Sequence, residues 1–221
     1  MKKTCSDCGI DIDVSQERAD KYTHFLCDKC KEKHRVERIM SKIQKVLPKK
    51  FWDIETEKPL DKYKDKLCSL YIHGKAGVGK TVLACSLAKA YIRQDYAVKF
   101  ISFPAFIMEL QGMFRGDKDV YEYAKEIAWY PEKIESNPTY KEITREGILI
   151  IDDLGAVKLT EWVQQMTYYI INEREMRVLP TIITSNFNLN EIDKMIDPRV
   201  SSRIGGICEI LQMNGKDRRN E

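Results

Sequence analysis

The sequence predicts an α/β fold, a parallel sheet flanked by helices, with a small cysteine-rich unit at its N-terminal end. Three observations carry this expectation. A glycine-rich stretch, "GKAGVGKT" at residues 74–81, separates an apolar segment from an amphipathic one; an unbroken apolar run ends in two carboxylates in "GILIIDDLG"; and two C-x2-C pairs, Cys5 with Cys8 and Cys27 with Cys30, are separated by 18 residues.

A chain of 221 residues, 43% of them hydrophobic, can bury one ordinary core and carry an appendage. The expected division is 1–50 for the cysteine-rich unit with a basic linker helix, and 51–221 for the α/β domain. Charge divides in the same way: 13 Lys and Arg face 8 Asp and Glu through Lys50, against 24 and 26 beyond it. No run of 18 apolar residues exists, and the opening "MKKTCSDCGI" is not followed by a signal-peptide core, so the expectation is a cytoplasmic protein with no membrane association. In a reducing compartment the seven cysteines point to metal or redox chemistry rather than disulfides.

Cys5, Cys8, Cys27 and Cys30 have the spacing of a four-cysteine zinc site. Two intervening residues let both thiolates of a turn face one ion, and two such turns close a tetrahedron. A closed Zn2+ site is structural, and in roughly 50 residues metal binding supplies much of the folding free energy. His24 and His34 flank the second pair as substitute ligands, and two redox dithiols are the other reading. Beyond the second pair, Lys29 to Lys50 carries nine Lys and Arg against two Glu, with Val36, Ile39, Met40, Ile43, Val46 and Leu47 at helical spacing. A basic amphipathic helix ending near Pro48 follows. It is either a solvated linker or a surface for a partner protein or a phosphate backbone.

Cys68 to His73 is apolar and compatible with a strand, and it leads through the glycine-rich loop into a helix, the context the G-x4-G-K-[ST] pattern requires. Gly74, Gly77 and Gly79 let backbone N–H groups converge on phosphate oxygens. The helix N-terminus adds partial positive charge. Gly74, Lys75, Ala76, Gly77, Val78, Gly79, Lys80, Thr81 and Val82 therefore form the expected ATP-binding loop and first turn. Lys80 is expected to reach the β- and γ-phosphates, and Thr81 to place its hydroxyl on Mg2+.

Ile148 to Ile151 reads as a strand buried on both faces, and Asp152 and Asp153 follow it. Asp152 is expected to hold Mg2+ through water, and Asp153 to occupy the place of a base or water-orienting carboxylate. Many such ATPases have Glu there, and the shorter Asp suits slow hydrolysis. Tyr96 to Ser102 and "LPTIITSNF" are further strands; "FPAFIMELQGMF", with Pro104 in its first turn, and "LTEWVQQMTYYIINEREM" are helices. Alternating strands and helices place ligands at the carboxyl ends of a parallel sheet. Asn186, at such an end, is a candidate to orient the attacking water. Arg199 and Arg203, at i and i+4, share a face if helical. Phe103 and Phe106 are candidates for base stacking, with core burial expected of Phe106.

In order, "GKAGVGKT", "ILIIDDLG", "TIITSN" and "DPRVSSRI" resemble the bacterial and phage replicative helicase loaders of the DnaC and DnaI type, AAA+ ATPases also similar to the IstB transposition helpers. The resemblance spans roughly residues 60–221. It implies ATP-dependent side-by-side assembly of copies on single-stranded DNA and an N-terminal zinc domain that grips the replicative hexameric helicase. It makes Lys80 and Thr81 Walker A residues, Asp152 and Asp153 Walker B, Asn186 sensor 1 and Arg203 an arginine finger with Arg199 close by, and it implies hydrolysis stimulated by DNA. Two features depart from that pattern. Gly112 to Arg145 is acidic and aromatic where a shorter connection is expected, and the residues after the arginine motif are too few for a helical lid domain. Arg218 or Arg219 is either an in-subunit nucleotide contact or part of a charged tail. The alternatives are a transposition helper, which binds duplex DNA and a transposase, and a small-molecule kinase.

Overall fold

The computed structural model describes residues 1–54, 60–113, 120–128, 130, 147–157 and 160–217. Much of the Gly112 to Arg145 stretch, and both Arg218 and Arg219, lie outside the described residues. The chain divides into two compact units, Met1–Lys45 and Val46–Glu221.

In the first unit, strands β1 (Lys2–Thr4) and β2 (Asp11–Asp13) pair antiparallel with Lys3 opposite Ile12. The connection between them is the first cysteine turn, in which Gly9 at φ 73° supplies the left-handed residue. Helix α1 (Gln16–Lys21) follows, and α2 (Asp28–Val46) takes the place of the expected basic helix. Its stop is encoded by Pro48, which cannot continue the hydrogen-bond ladder. Val14, Phe25 and Ile43 are buried, as are two of the cysteines, Cys5 and Cys30. So few apolar side chains do not stabilise a unit of this size by burial alone.

The second unit opens with a 3-10 turn (Lys49–Phe51) and α3 (Leu60–Tyr63). Then come β3 (Leu70–His73), α4 (Lys80–Arg93), β4 (Ala97–Ser102), α5 (Phe103–Met113) and α6 (Val120–Ala128). The rest is β5 (Gly147–Leu154), α7 (Glu161–Met176), β6 (Thr181–Ser185), α8 (Leu189–Met195), α9 (Pro198–Ile207) and β7 (Glu209–Gln212). All neighbours in the sheet are parallel, in the order β4-β5-β6-β3-β7. The central strands β3, β5 and β6 are buried almost throughout, as their unbroken apolar runs require. Caps define the helices around them: Thr160 accepts from Val163 N–H, Asn188 and Glu191 form a capping box, and Asp197 accepts from Arg199 N–H ahead of Pro198.

Two buried cations tie this layer together. Arg174, with no exposed surface, donates to the Thr181 hydroxyl and to the carbonyls of Ala128, Tyr130, Gly147 and Pro180, linking the end of α6 to the starts of β5 and β6. Burial holds its guanidinium down at about 9, and among the described residues its acceptors are neutral oxygens. Lys89 of α4 is equally buried and donates to the carbonyls of Phe51, Trp52 and Ile54. Phe103 and Phe106 are each 2% exposed. Base stacking by Phe103 is therefore corrected to core packing, and Phe106 is in the core as expected: both rings lie in the apolar layer with Ile101, Leu110 and Ile151.

Candidate functional site

The site begins where β3 ends. The chain leaves His73, turns through Gly74–Gly79 and enters α4 at Lys80, with Gly79 at φ 100° as the residue before the helix. Gly79 has no side chain with which to cap this end, and the N-terminus of a helix favours an anion. Gly77 has φ 79°, a conformation that favours glycine. Lys75 and Ala76 are exposed at the tip, Val78 is buried as the loop's anchor, and Val82 is half-buried in the first turn.

Lys80 is only 5% exposed. Its ammonium donates to the carbonyls of Gly74 and Lys75, at 2.8 and 2.9 Å, and to Asn186 Oδ1 at 2.7 Å. Asn186 reaches it because β6 lies beside β3, with Ser185 level with His73. On the other side of β6, β5 brings Asp152 to the same end of the sheet. The Thr81 and Thr184 hydroxyls both donate to Asp152 Oδ1, at 2.9 and 2.6 Å. Burial raises the Asp152 pKa above the usual carboxylate value, while the hydrogen bonds from Thr184 and Thr81 oppose the rise.

Asp153 sits in a bulge. Ile151 pairs with Ile183 and Leu154 with Ser185, so two residues of β5 face Thr184 alone. Asp153 takes φ 59° there, and its N–H donates to Thr184 Oγ1 at 3.0 Å. The bulge lets two successive acidic residues occur at one strand end without both following the regular pleat. Thr184 was not assigned a role from the sequence. Its signal was a hydroxyl within the apolar run "TIITS", where burial demands a partner.

Arg199 and Arg203 form a separate cluster between α7 and α9. Both guanidinium carbons lie over the Tyr168 ring, 4.4 and 4.8 Å from its centroid. Arg203 donates to Asn172 Oδ1 at 2.9 Å and to Tyr168 Oη at 3.1 Å, and pairs with Glu175 at 3.1 Å. Arg199 is exposed and pairs with Asp197 through two of its nitrogens.

In the first unit, the ligand atoms of Cys5, Cys8, Cys27 and Cys30 all lie within 4.8 Å of one another. Cys8 Sγ and Cys27 Sγ are 3.6 Å apart, close to the roughly 3.8 Å edge of a tetrahedron with 2.3 Å Zn–S bonds. Backbone amides already turn toward the sulfurs, Cys27 N–H to Cys5 at 3.3 Å and Cys30 N–H to Cys27 at 3.4 Å. The first of these bonds is the main reason the Cys5 thiol is lowered to about 6. Cys30 is driven the other way, chiefly by Cys27, because neighbouring sulfurs resist ionising together without a cation. The donor set fits zinc. His34 instead pairs with Asp7 inside the first cysteine turn, and His24 is exposed, so neither histidine belongs to the cluster.

A parallel sheet bearing this loop, the Thr81–Asp152–Thr184 network and Asn186 has the architecture of a P-loop fold of the AAA+ kind. In sequence the chain is similar to the replicative helicase loaders. It is 24% identical to the replicative helicase loader DnaI of Bacillus subtilis over 164 residues, 68% of this chain and 47% of that protein. It is 19% identical to the replicative helicase loader DnaC of Escherichia coli over 145 residues, 66% and 53% of the two chains. An ATP-binding protein in an insertion sequence of Mycobacterium tuberculosis is 29% identical over 118 residues, 53% of this chain and 40% of that one. The chain thus spans about half the length of the helicase loaders it matches. The crystal structure of DnaI superposes with a TM-score of 0.58 at 20% identity, covering 78% of this chain and 94% of that one. The replication initiator DnaA bound to AMPPCP and single-stranded DNA superposes with a TM-score of 0.54 at 17% identity, covering 71% and 43%. No family model matches the chain.

Proposed function

We propose that the chain is an ATP-dependent loader of a replicative DNA helicase, acting in the cytoplasm. The convergence of Lys80, Thr81, Asp152 and Asn186 at adjoining strand ends carries the nucleotide half of this reading. The named helicase loaders among its relatives carry the other half.

In this reading Lys80 leaves the Gly74 and Lys75 carbonyls to neutralise the β- and γ-phosphates, while the loop amides hold their oxygens. Thr81 and Asp152 would hold Mg2+, which would supply charge neutralisation to the phosphates. Asp153 and Asn186 orient the attacking water, and Asp153 accepts its proton. Arg203 serves the nucleotide of an adjacent copy in an ATP-dependent assembly on single-stranded DNA. The zinc-held first unit grips the helicase. Hydrolysis is slow and DNA-stimulated.

The test is capture of the replicative hexameric helicase by the zinc-loaded full chain, with ATP and with ADP, beside a Lys80→Ala variant. ATP-dependent capture lost in the variant supports the reading. Capture of no helicase, with ATP hydrolysis stimulated by duplex rather than single-stranded DNA, supports the transposition-helper reading. That second reading is favoured by the 29% identity to the insertion-sequence protein.

A further inference from the structure

We infer that Asp217 is a specificity-determining residue of the nucleotide site, disfavouring metal-free phosphate chains relative to their magnesium complexes. The inference rests on the nucleotide-binding reading above.

Strand β7 runs parallel to β3, with Gln212 level with His73, so the chain leaves β7 at the end of the sheet where the glycine-rich loop leaves β3. The two exits are joined: Met213 N–H donates to His73 O at 2.7 Å. The path is tight against the loop, because a Cβ on Gly74 would overlap the Met213 carbonyl. At Asp217 the chain touches the loop again. A Cβ on Gly77 would overlap the Asp217 carboxylate, whose farther oxygen stands 2.6 Å from that position. An anionic side chain therefore rests on the backbone of the residue at the centre of the phosphate loop.

A loop whose amides converge on phosphate holds its ligand within a few ångströms of those backbone atoms. The Asp217 charge then acts directly on the bound chain, with a repulsion proportional to the ligand's own charge. Magnesium removes two of the negative charges of ATP, so the penalty falls mainly on the free nucleotide. Asp217 is exposed, and water and salt screen the effect to a factor of several rather than of thousands.

The test measures ATP dissociation constants for the zinc-loaded full chain, wild type, Asp217→Asn and Asp217→Glu, with excess Mg2+ and in magnesium-free buffer. The asparagine variant is expected to bind metal-free ATP about fivefold more tightly and Mg-ATP no more than about twofold more tightly. The glutamate variant should stay near wild type. A damaged fold loses affinity, so a selective gain distinguishes charge from structure. Equal gains in both buffers, or no gain without magnesium, would overturn the inference. Lys80→Ala separates the two layers: if it binds ATP as the wild type does, the nucleotide-site reading itself fails.

Discussion

The Thr184 hydroxyl donates to Asp152 Oδ1 at 2.6 Å and accepts from the Asp153 N–H at 3.0 Å, so one side chain of β6 orients both acidic residues of β5. Thr184→Val keeps the shape and the strand preference but removes both bonds. It leaves the Asp153 amide in the bulge without this partner and Asp152 less well solvated. Loss of about 1–3 kcal/mol of stability is expected in denaturant unfolding, together with weaker Mg-ATP binding. Thr184→Ser should recover most of both, and a silent valine variant would remove Thr184 from the site.

Asp152 makes the opposite trade. Burial raises its pKa, so the folded protein retains a proton at pH values where the unfolded chain has released it. Stability from this group therefore falls as pH rises through the folded-state value, and at neutral pH the bare carboxylate is a cost. Asp152→Asn keeps an oxygen for Thr81 and Thr184 and deletes the charge. The nucleotide-free variant should melt roughly 2 °C higher at pH 7, with the difference shrinking in acid. It should lose Mg2+-dependent hydrolysis. A lower melting temperature at pH 7 would show that the charge is stabilised by surroundings other than these hydroxyls.

Burial explains what was legible in the sequence. Strands β3, β5 and β6 are covered on both faces and had to be written as apolar runs, so their ends, and hence Lys80, Asp152 and Asn186, could be located from spacing alone. Strand β7 lies at the sheet edge with mostly exposed residues, and its four residues show no comparable run. The Arg199 and Arg203 pair was visible as an i, i+4 face. Its partners were not, because Tyr168 and Asn172 precede Arg203 by 35 and 31 residues and meet it only through packing of α7 on α9. Asp217 carries no local signal at all, since its position depends on β7 pairing with β3.

The first unit should hold one zinc ion per chain, read by native mass spectrometry. Chelation should speed amide exchange throughout residues 1–45, while β5 and β6 stay protected, because the cysteines and these strands belong to different compact units. Cys27→Ser should act like the chelator, since Cys27 both neighbours Cys8 and receives the Cys30 amide. Retention of zinc with full occupancy in that variant would exclude Cys27 as a ligand.

Arg203 is held within its own chain by Tyr168, Asn172 and Glu175, and service to a neighbouring copy requires this holder to aim the guanidinium or to release it. Arg203→Ala should leave ATP affinity unchanged and lower DNA-stimulated hydrolysis by about a thousandfold, the scale of a lost arginine finger. Tyr168→Phe retains the ring beneath both arginines but not the phenol oxygen, and a loss of only a few-fold is expected. Mixing Arg203→Ala with Asp152→Asn gives the decisive readout. Each variant alone lacks one part of a shared site, and mixed assemblies contain some junctions with an intact Asp152 facing an intact Arg203. Recovered hydrolysis in the mixture places Arg203 in trans. No recovery, with Arg203→Ala still inactive, confines the arginine to its own subunit, where the Glu175 pair makes it a strut between α7 and α9.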